Sequence, residues 1–171
     1  SGKVKLSFYG AGNYATASLL PPMQASGKVA LMGLVTASGR SAQGVAKQFG
    51  FGFCAGSYAE LLQGDTDAIV VTTRHDTHGA AVRDALVAGK HVYVEKPMAM
   101  SVAELASIHQ AYSEGGKAQI MVGFNRRFAP ATRQVIDHFA GVKSPLVVNI
   151  RVNAGAIPAN HWIQDPQVGG G

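Results

Sequence analysis

Short apolar runs separated by helix-length stretches constrain this chain more than any other feature. Residues 4–9, 29–35, 68–72, 91–94 and 119–122 read as strands, with a shorter one around Phe53-Cys54. A strand that is apolar on both faces and is followed by a helix forms a βαβ unit, and successive units build a parallel sheet covered by helices. The fold predicted is therefore α/β, a doubly wound parallel sheet. Helix starts are marked at Ser57 and Ser101, each a hydroxyl three residues before a glutamate, Glu60 or Glu104. That spacing satisfies free N–H groups at a helix N-terminus. Helices should stop at Gly89 and at Gly115-Gly116, while Pro21-Pro22 must kink or end the first one. Val82, Ala85 and Leu86 recur at helical spacing and should face the sheet.

Beyond Val122 the pattern changes. A helix over residues 126–140 and a strand over 146–152 lead into an irregular stretch. About fifty residues cannot easily enclose a core of their own. The expected division is a nucleotide-binding unit over 1–123 and, over 124–171, the incomplete start of an α+β substrate domain.

The first segment with chemistry is Gly10-Ala11-Gly12-Asn13-Tyr14-Ala15, between the first strand and its helix. Gly10 permits a tight turn, Gly12 lets backbone approach a pyrophosphate, and Ala15 replaces the last glycine where helix meets strand. Free amides of the helix start, around Asn13 and Tyr14, then bind the anion. This is the fingerprint of a Rossmann dinucleotide site. Cofactor choice follows from an absence, since no acidic residue precedes Glu60 to take the ribose hydroxyls of NAD. The second strand ends instead in Thr36-Ala37-Ser38-Gly39-Arg40-Ser41. Hydroxyls at Thr36 and Ser38 with the Arg40 guanidinium suit a 2′-phosphate, which favours NADP over NAD. The other reading of Arg40 is a solvated helix start.

Two further strand exits carry polar groups. Thr73-Arg74-His75-Asp76-Thr77-His78 follows the fourth strand, where a cofactor would lie. His78 there faces either the crevice or solvent. His75 and His78 lack further ligands at suitable spacing, so no metal site is expected. Glu95-Lys96-Pro97 leaves the fifth strand. An ammonium at such an exit can stabilise a developing alkoxide, which makes Lys96 the catalytic candidate, with Glu95 orienting Lys96 or the cofactor. Pro97 drives its predecessor to extended backbone.

Composition narrows the partners. The net charge is +5, but the 15 lysines and arginines are scattered, with no run longer than Arg126-Arg127, so nucleic acid is not expected. The single cysteine, Cys54, excludes an intrachain disulfide and a cysteine-rich zinc site, and reads as a small buried hydrophobe. No apolar run approaches the ~20 residues of a membrane span, and no leader pattern opens the chain. A cytoplasmic location is the expectation.

Gly10 to Ala15, Thr73 to His78, Ala88-Gly89-Lys90-His91-Val92 running into Glu95-Lys96-Pro97, and Gly123-Phe124-Asn125-Arg126-Arg127-Phe128 together resemble the Gfo/Idh/MocA oxidoreductase family. The Arg74-His75-Asp76 variant is most similar to members fused behind a zinc-type alcohol-dehydrogenase-like domain. The resemblance implies hydride transfer between a nicotinamide and a sugar, cyclitol or related hydroxyl or carbonyl compound, with Lys96 beside the reacting oxygen. It also implies a homo-oligomer for the full-length protein. Complete members carry an Asp and a His after a Gly-Gly-Gly segment, and this sequence stops at Gly169-Gly170-Gly171. The chain as given is therefore expected to bind cofactor without turnover. His161-Trp162 either line the substrate side or pack under a loop, and Arg126 and Arg127 are candidates to touch cofactor or substrate. The alternative from another class is a non-catalytic regulator that senses cofactor with the same fold.

Overall fold

The structure, a computed structural model, describes residues 2–37, 39–153 and 155–170. Ser38 and the side chain of Arg40, both expected beside the cofactor, lie outside the described residues.

Six strands form one sheet: β1 (Val4–Tyr9), β2 (Val29–Val35), β3 (Phe53–Cys54), β4 (Ala68–Val71), β5 (His91–Val94) and β6 (Ile120–Val122). Their spatial order is β3-β2-β1-β4-β5-β6, and every pairing is parallel. The order reverses direction between β1 and β4, so the loops leaving these neighbours run to opposite faces and open a crevice. Helices α1 (Leu20–Ala25), α2 (Gly39–Phe49), α3 (Tyr58–Gln63), α4 (His78–Val87), α5 (Val102–Glu114) and α6 (Pro130–Phe139) complete the fold.

Side chains alternate across each strand, so both faces must be covered. On one face Ile69, Val71, Val92 and Val94 pack with Val82, Ala85 and Leu86 of α4 and Ile108 of α5. On the other, Phe8, Leu34 and Val70 pack with Ala15, Leu20, Ala46 and Phe49. Fully burying a leucine such as Leu86 contributes about 1.5–3 kcal/mol, so these two layers hold the strand exits in register.

Both expected caps form: Ser57 Oγ accepts the Glu60 N–H at 3.2 Å and Ser101 Oγ the Glu104 N–H at 3.1 Å. The glutamates reach one residue further back than a capping box requires, to the N–H of Gly56 and of Met100, each at 2.7 Å. The interruption at Pro21-Pro22 takes the form of a π-helical turn, Ala15–Leu19, that passes into α1 just before the prolines. Proline has no N–H to donate, so a carbonyl one turn earlier loses its usual α-helical partner, and the regular ladder gives way to a wider turn there.

Three expectations change. The helix predicted over 126–140 is divided into a 3-10 turn, Asn125–Phe128, and α6, because Pro130 occupies the first turn of the helix. Residues 146–152 form no strand: nothing among the described residues pairs with them, and Val147 is 99 % exposed. Cys54 is exposed rather than buried, because β3 is a two-residue edge strand whose residues both face water.

Candidate functional site

The crevice begins where β1 ends. Gly10 has φ +95° and donates its N–H to the Val35 carbonyl at 2.8 Å, while Thr72 Oγ1 donates to the Gly10 carbonyl at 2.9 Å. A Cβ on Gly10 would sit 2.7 Å from the Thr72 carbonyl carbon, so the exits of β1 and β4 touch backbone to backbone. Gly12 differs, for nothing lies within 4 Å of where its Cβ would be. That open space sits beside Asn13 and Tyr14, which begin the helix, whose first amides have no partner within it. The arrangement fits a bound diphosphate: a concave backbone edge, free donors and the positive end of a helix. Ala15 is 1 % exposed and packs in the core, as the replacement of a third glycine requires.

At the end of β2, Thr36 Oγ1 lies 3.0 Å from Ser41 Oγ, which joins the strand exit to the first turn of α2. At the end of β4, the exposed Arg74 holds its guanidinium carbon 5.7 Å from the Trp162 ring centroid. His75 places Nδ1 2.8 Å from the Gly169 carbonyl and meets the Trp162 ring edge-on at 4.9 Å. Burial lowers the His75 pKa, followed in effect by the hydrogen bond to Gly169, which raises it, and by His78 and Lys96, which lower it. Thr73 Oγ1 accepts the Thr77 hydroxyl at 2.6 Å, and the Thr73 carbonyl lies 3.1 Å from His78 Nε2.

His78 takes neither of the two positions anticipated for it. Its side chain is fully buried, with Nδ1 2.7 Å from the Pro97 carbonyl and Nε2 3.1 Å from the Thr73 carbonyl. The ring thus bolts the β4 exit to the β5 exit. With the Glu104 contact to Met100, it fixes the loop that carries Lys96.

Of the two roles expected of Glu95, orienting Lys96 or the cofactor, the first is not seen. No ion pair joins Glu95 and Lys96 among the described residues; Glu95 Oε1 instead accepts the Tyr93 hydroxyl at 2.7 Å. Adjacent residues on a strand point to opposite faces, whereas Tyr93 and Glu95, two apart, share one. A Cβ on Gly123 would come 2.6 Å from Glu95 Oε1 and 2.8 Å from the Tyr93 hydroxyl, so a side chain there would have to displace this pair. Burial, then the hydrogen bond to Glu95 and its charge, push the Tyr93 pKa up, which keeps the phenol a donor. Lys96 is exposed and makes no hydrogen bond among the described residues, and the peptide to Pro97 is cis.

Three participants escaped the sequence reading. Tyr93 could have been found from its spacing to Glu95. Asn125, whose Nδ2 donates to the Tyr14 hydroxyl at 2.7 Å, is 111 positions away and has no local signal. The Gly169 carbonyl is a backbone group, invisible to residue type. Among the described residues, no group of three or more His, Cys, Asp or Glu side chains gathers to hold a metal ion, and no helix is long and apolar enough to cross a membrane.

A family profile described as an oxidoreductase family with an NAD-binding Rossmann fold matches residues 4–124. Inositol 2-dehydrogenase 3 of Saccharopolyspora erythraea is 37% identical over 87 residues, which are 50% of this chain and 26% of that protein. Inositol 2-dehydrogenase of Gluconacetobacter diazotrophicus is 42% identical over 64 residues, 37% of this chain and 19% of that one. The solved structure of a 3-ketoreductase from Actinomadura kijaniata, in complex with NADP and TDP-benzene, superposes with a TM-score of 0.83 at 25% identity, covering 99% of this chain and 53% of that one. The chain thus spans 19% to 53% of the length of these relatives.

Proposed function

The chain belongs to the Gfo/Idh/MocA oxidoreductase family, and from that premise we propose that it binds a nicotinamide dinucleotide across the β1–β4 crevice and serves a dehydrogenase or reductase of polyols, sugars or related carbonyl compounds. The observation that carries the proposal is the open backbone edge at Gly12, set at a helix start in a sheet that also carries at the β5 exit an exposed Lys96 with no hydrogen bond among the described residues. Gly10, Gly12, Asn13 and Tyr14 hold the diphosphate. Thr36, Ser38 and Arg40 take the adenosine end and favour NADP, and Thr73, Arg74, His75 and Glu95 border the nicotinamide end. Bound there, the cofactor supplies a hydride acceptor or donor. Lys96 steadies the oxygen of the reacting carbon as charge develops on it. His78 contributes from behind by fixing the two loops between which that oxygen must fit.

The relatives named inositol 2-dehydrogenase make a cyclitol the first substrate class to try, and the 3-ketoreductase makes a keto sugar the second. Calorimetric titration with NADPH and NADH tests the reading. Micromolar binding that is weakened by Gly12→Ala supports it, and the absence of binding to either coenzyme overturns it. Tight binding with no turnover of any polyol or keto sugar by a longer chain would favour the cofactor-sensing alternative.

A further inference from the structure

His78 is the one ionisable side chain among the described residues that is fully buried. Its two nitrogens face two carbonyl oxygens, Nδ1 that of Pro97 at 2.7 Å and Nε2 that of Thr73 at 3.1 Å. A carbonyl oxygen can only accept, and a ring nitrogen donates only when it carries a hydrogen. A neutral imidazole has one N–H, so it would set its other nitrogen's lone pair against an oxygen lone pair. Only the imidazolium satisfies both contacts. No other donor reaches either carbonyl among the described residues.

The surroundings supply anions for that charge. A Cβ on Gly79 would lie 2.9 Å from the Glu104 carboxyl carbon, so α5 sets a carboxylate against the backbone next to His78. Asp76, two residues earlier on the 3-10 turn, is a second anion. Opposing them are His75, with its ring centroid 5.7 Å away, and Lys96 at the β5 exit. β4 contributes only apolar side chains, and His91 of β5 stands at the other end of that strand. The His75 pKa is lowered by burial first and by His78 as well, the effect of a neighbouring positive charge.

We propose that His78 is a positioning residue that works as an imidazolium: with two ring hydrogens it ties the β4 exit to the β5 exit, and loss of the Nε2 proton to water releases the Thr73 carbonyl. The shorter Nδ1 bond keeps Pro97 in place, so the residues that loosen are Thr73 to His75. These border the nicotinamide end in the dinucleotide reading, on which this part of the proposal rests. A border already restrained loses less freedom when a ligand binds, so acid tightens binding.

Nitrogen-15 NMR of the parent chain, with the ring assigned through bonds from the His78 backbone, reads the charge without any ligand. At about pH 6 both His78 nitrogens should resonate as protonated, and Nε2 alone should lose its hydrogen as pH rises toward about 9. The Arg74 amide, which shares its peptide with the Thr73 carbonyl, should shift along the same curve, while the Met98 amide, which shares that of Pro97, should not. A packing role would move neither. The Arg74 shift should persist in His75→Gln, which removes the neighbouring titration. NADH, which lacks the 2′-phosphate and does not itself titrate in this range, then reads the role by calorimetry. In His75→Gln its Kd should rise about threefold or more between pH ~6 and ~9, and the rise should vanish when His78→Gln is added. A neutral His78 at pH ~6, an Arg74 amide blind to the titration, or the same pH dependence of NADH binding with and without His78 overturns the proposal. Failure of the parent chain to bind either NADH or NADPH overturns the dinucleotide reading instead, and the ring and amide spectra still decide the proposal.

Discussion

Replacing each of the first two glycines with alanine separates what the turn does for the fold from what it does for a ligand. At Gly10 the new Cβ meets three backbone atoms of Thr72 and Thr73 at 2.7–2.8 Å, and φ is +95°. Backbone cannot swing aside as a side chain does. The unfavourable dihedral costs about 1–3 kcal/mol and the forced displacement about 1–3 kcal/mol more. Gly10→Ala should thus lose about 2–6 kcal/mol, a large share of the ~5–15 kcal/mol that holds an ordinary domain folded. With an m-value of about 2 kcal/mol/M, the urea midpoint falls by roughly 1–3 M. At Gly12 the added methyl meets nothing within 4 Å and the dihedral is not positive, so the urea midpoint should hold or rise slightly. The same methyl fills the space that a diphosphate needs, so NADP(H) affinity should drop about tenfold or more, or about 1.4 kcal/mol. Urea denaturation followed by far-ultraviolet circular dichroism, paired with calorimetric titration, reads both quantities. The reasoning fails if Gly12→Ala is as destabilising as Gly10→Ala, or if it leaves the affinity untouched.

His78→Phe removes the ring N–H from between the Pro97 and Thr73 carbonyls, of which a neutral imidazole can serve one, and should cost about 1–3 kcal/mol in urea melts, with His78→Asn, which can still donate, losing less. Tyr93→Phe removes the hydroxyl held by Glu95, for about 1 kcal/mol at neutral pH. The folded-state Tyr93 pKa lies above its ordinary value of about 10, so its stabilising contribution holds below that pH and is lost as pH climbs past it. Thermal melts between pH 9 and 11 should therefore decline less steeply in the phenylalanine variant. The His75 shift has the opposite direction: its contribution is present above pH ~6.5 and is lost as pH falls, so His75→Gln should flatten the acid side of the stability curve. Arg40→Ala should weaken NADPH more than NADH, and an equal loss for both would remove the 2′-phosphate role.

The sheet was legible in the sequence because each strand is a short apolar run bounded by a helix signal, and local chemistry marks both serine caps. Residues 146–152 show where such reading stops. Their apolar composition describes a strand, but a strand exists only when another pairs with it, and pairing is a property of distant chain. His78 shows a different gap. A polar residue on the first turn after a strand exit can face inward, outward or toward a neighbouring loop, and only the Pro97 and Thr73 carbonyls decide among these. The glycine-rich turn could be recognised because steric demands on glycine are local. The partner of Glu95 was accessible from strand alternation, whereas the contact between Tyr14 and Asn125 depends on the order in which six strands assemble.

The bond from the Gly169 carbonyl to His75 makes residues 162–170 and residues 74–76 a matched set. A chimera that took its first unit from one relative and its later residues from another would inherit an imidazole without its acceptor, or an indole with no ring to meet. Recombination points after residue 123 would look harmless by sheet topology and still part the β4 exit from the residues that hold it. Exchange of modules within this architecture is therefore constrained by a main-chain oxygen that no comparison of side chains would flag.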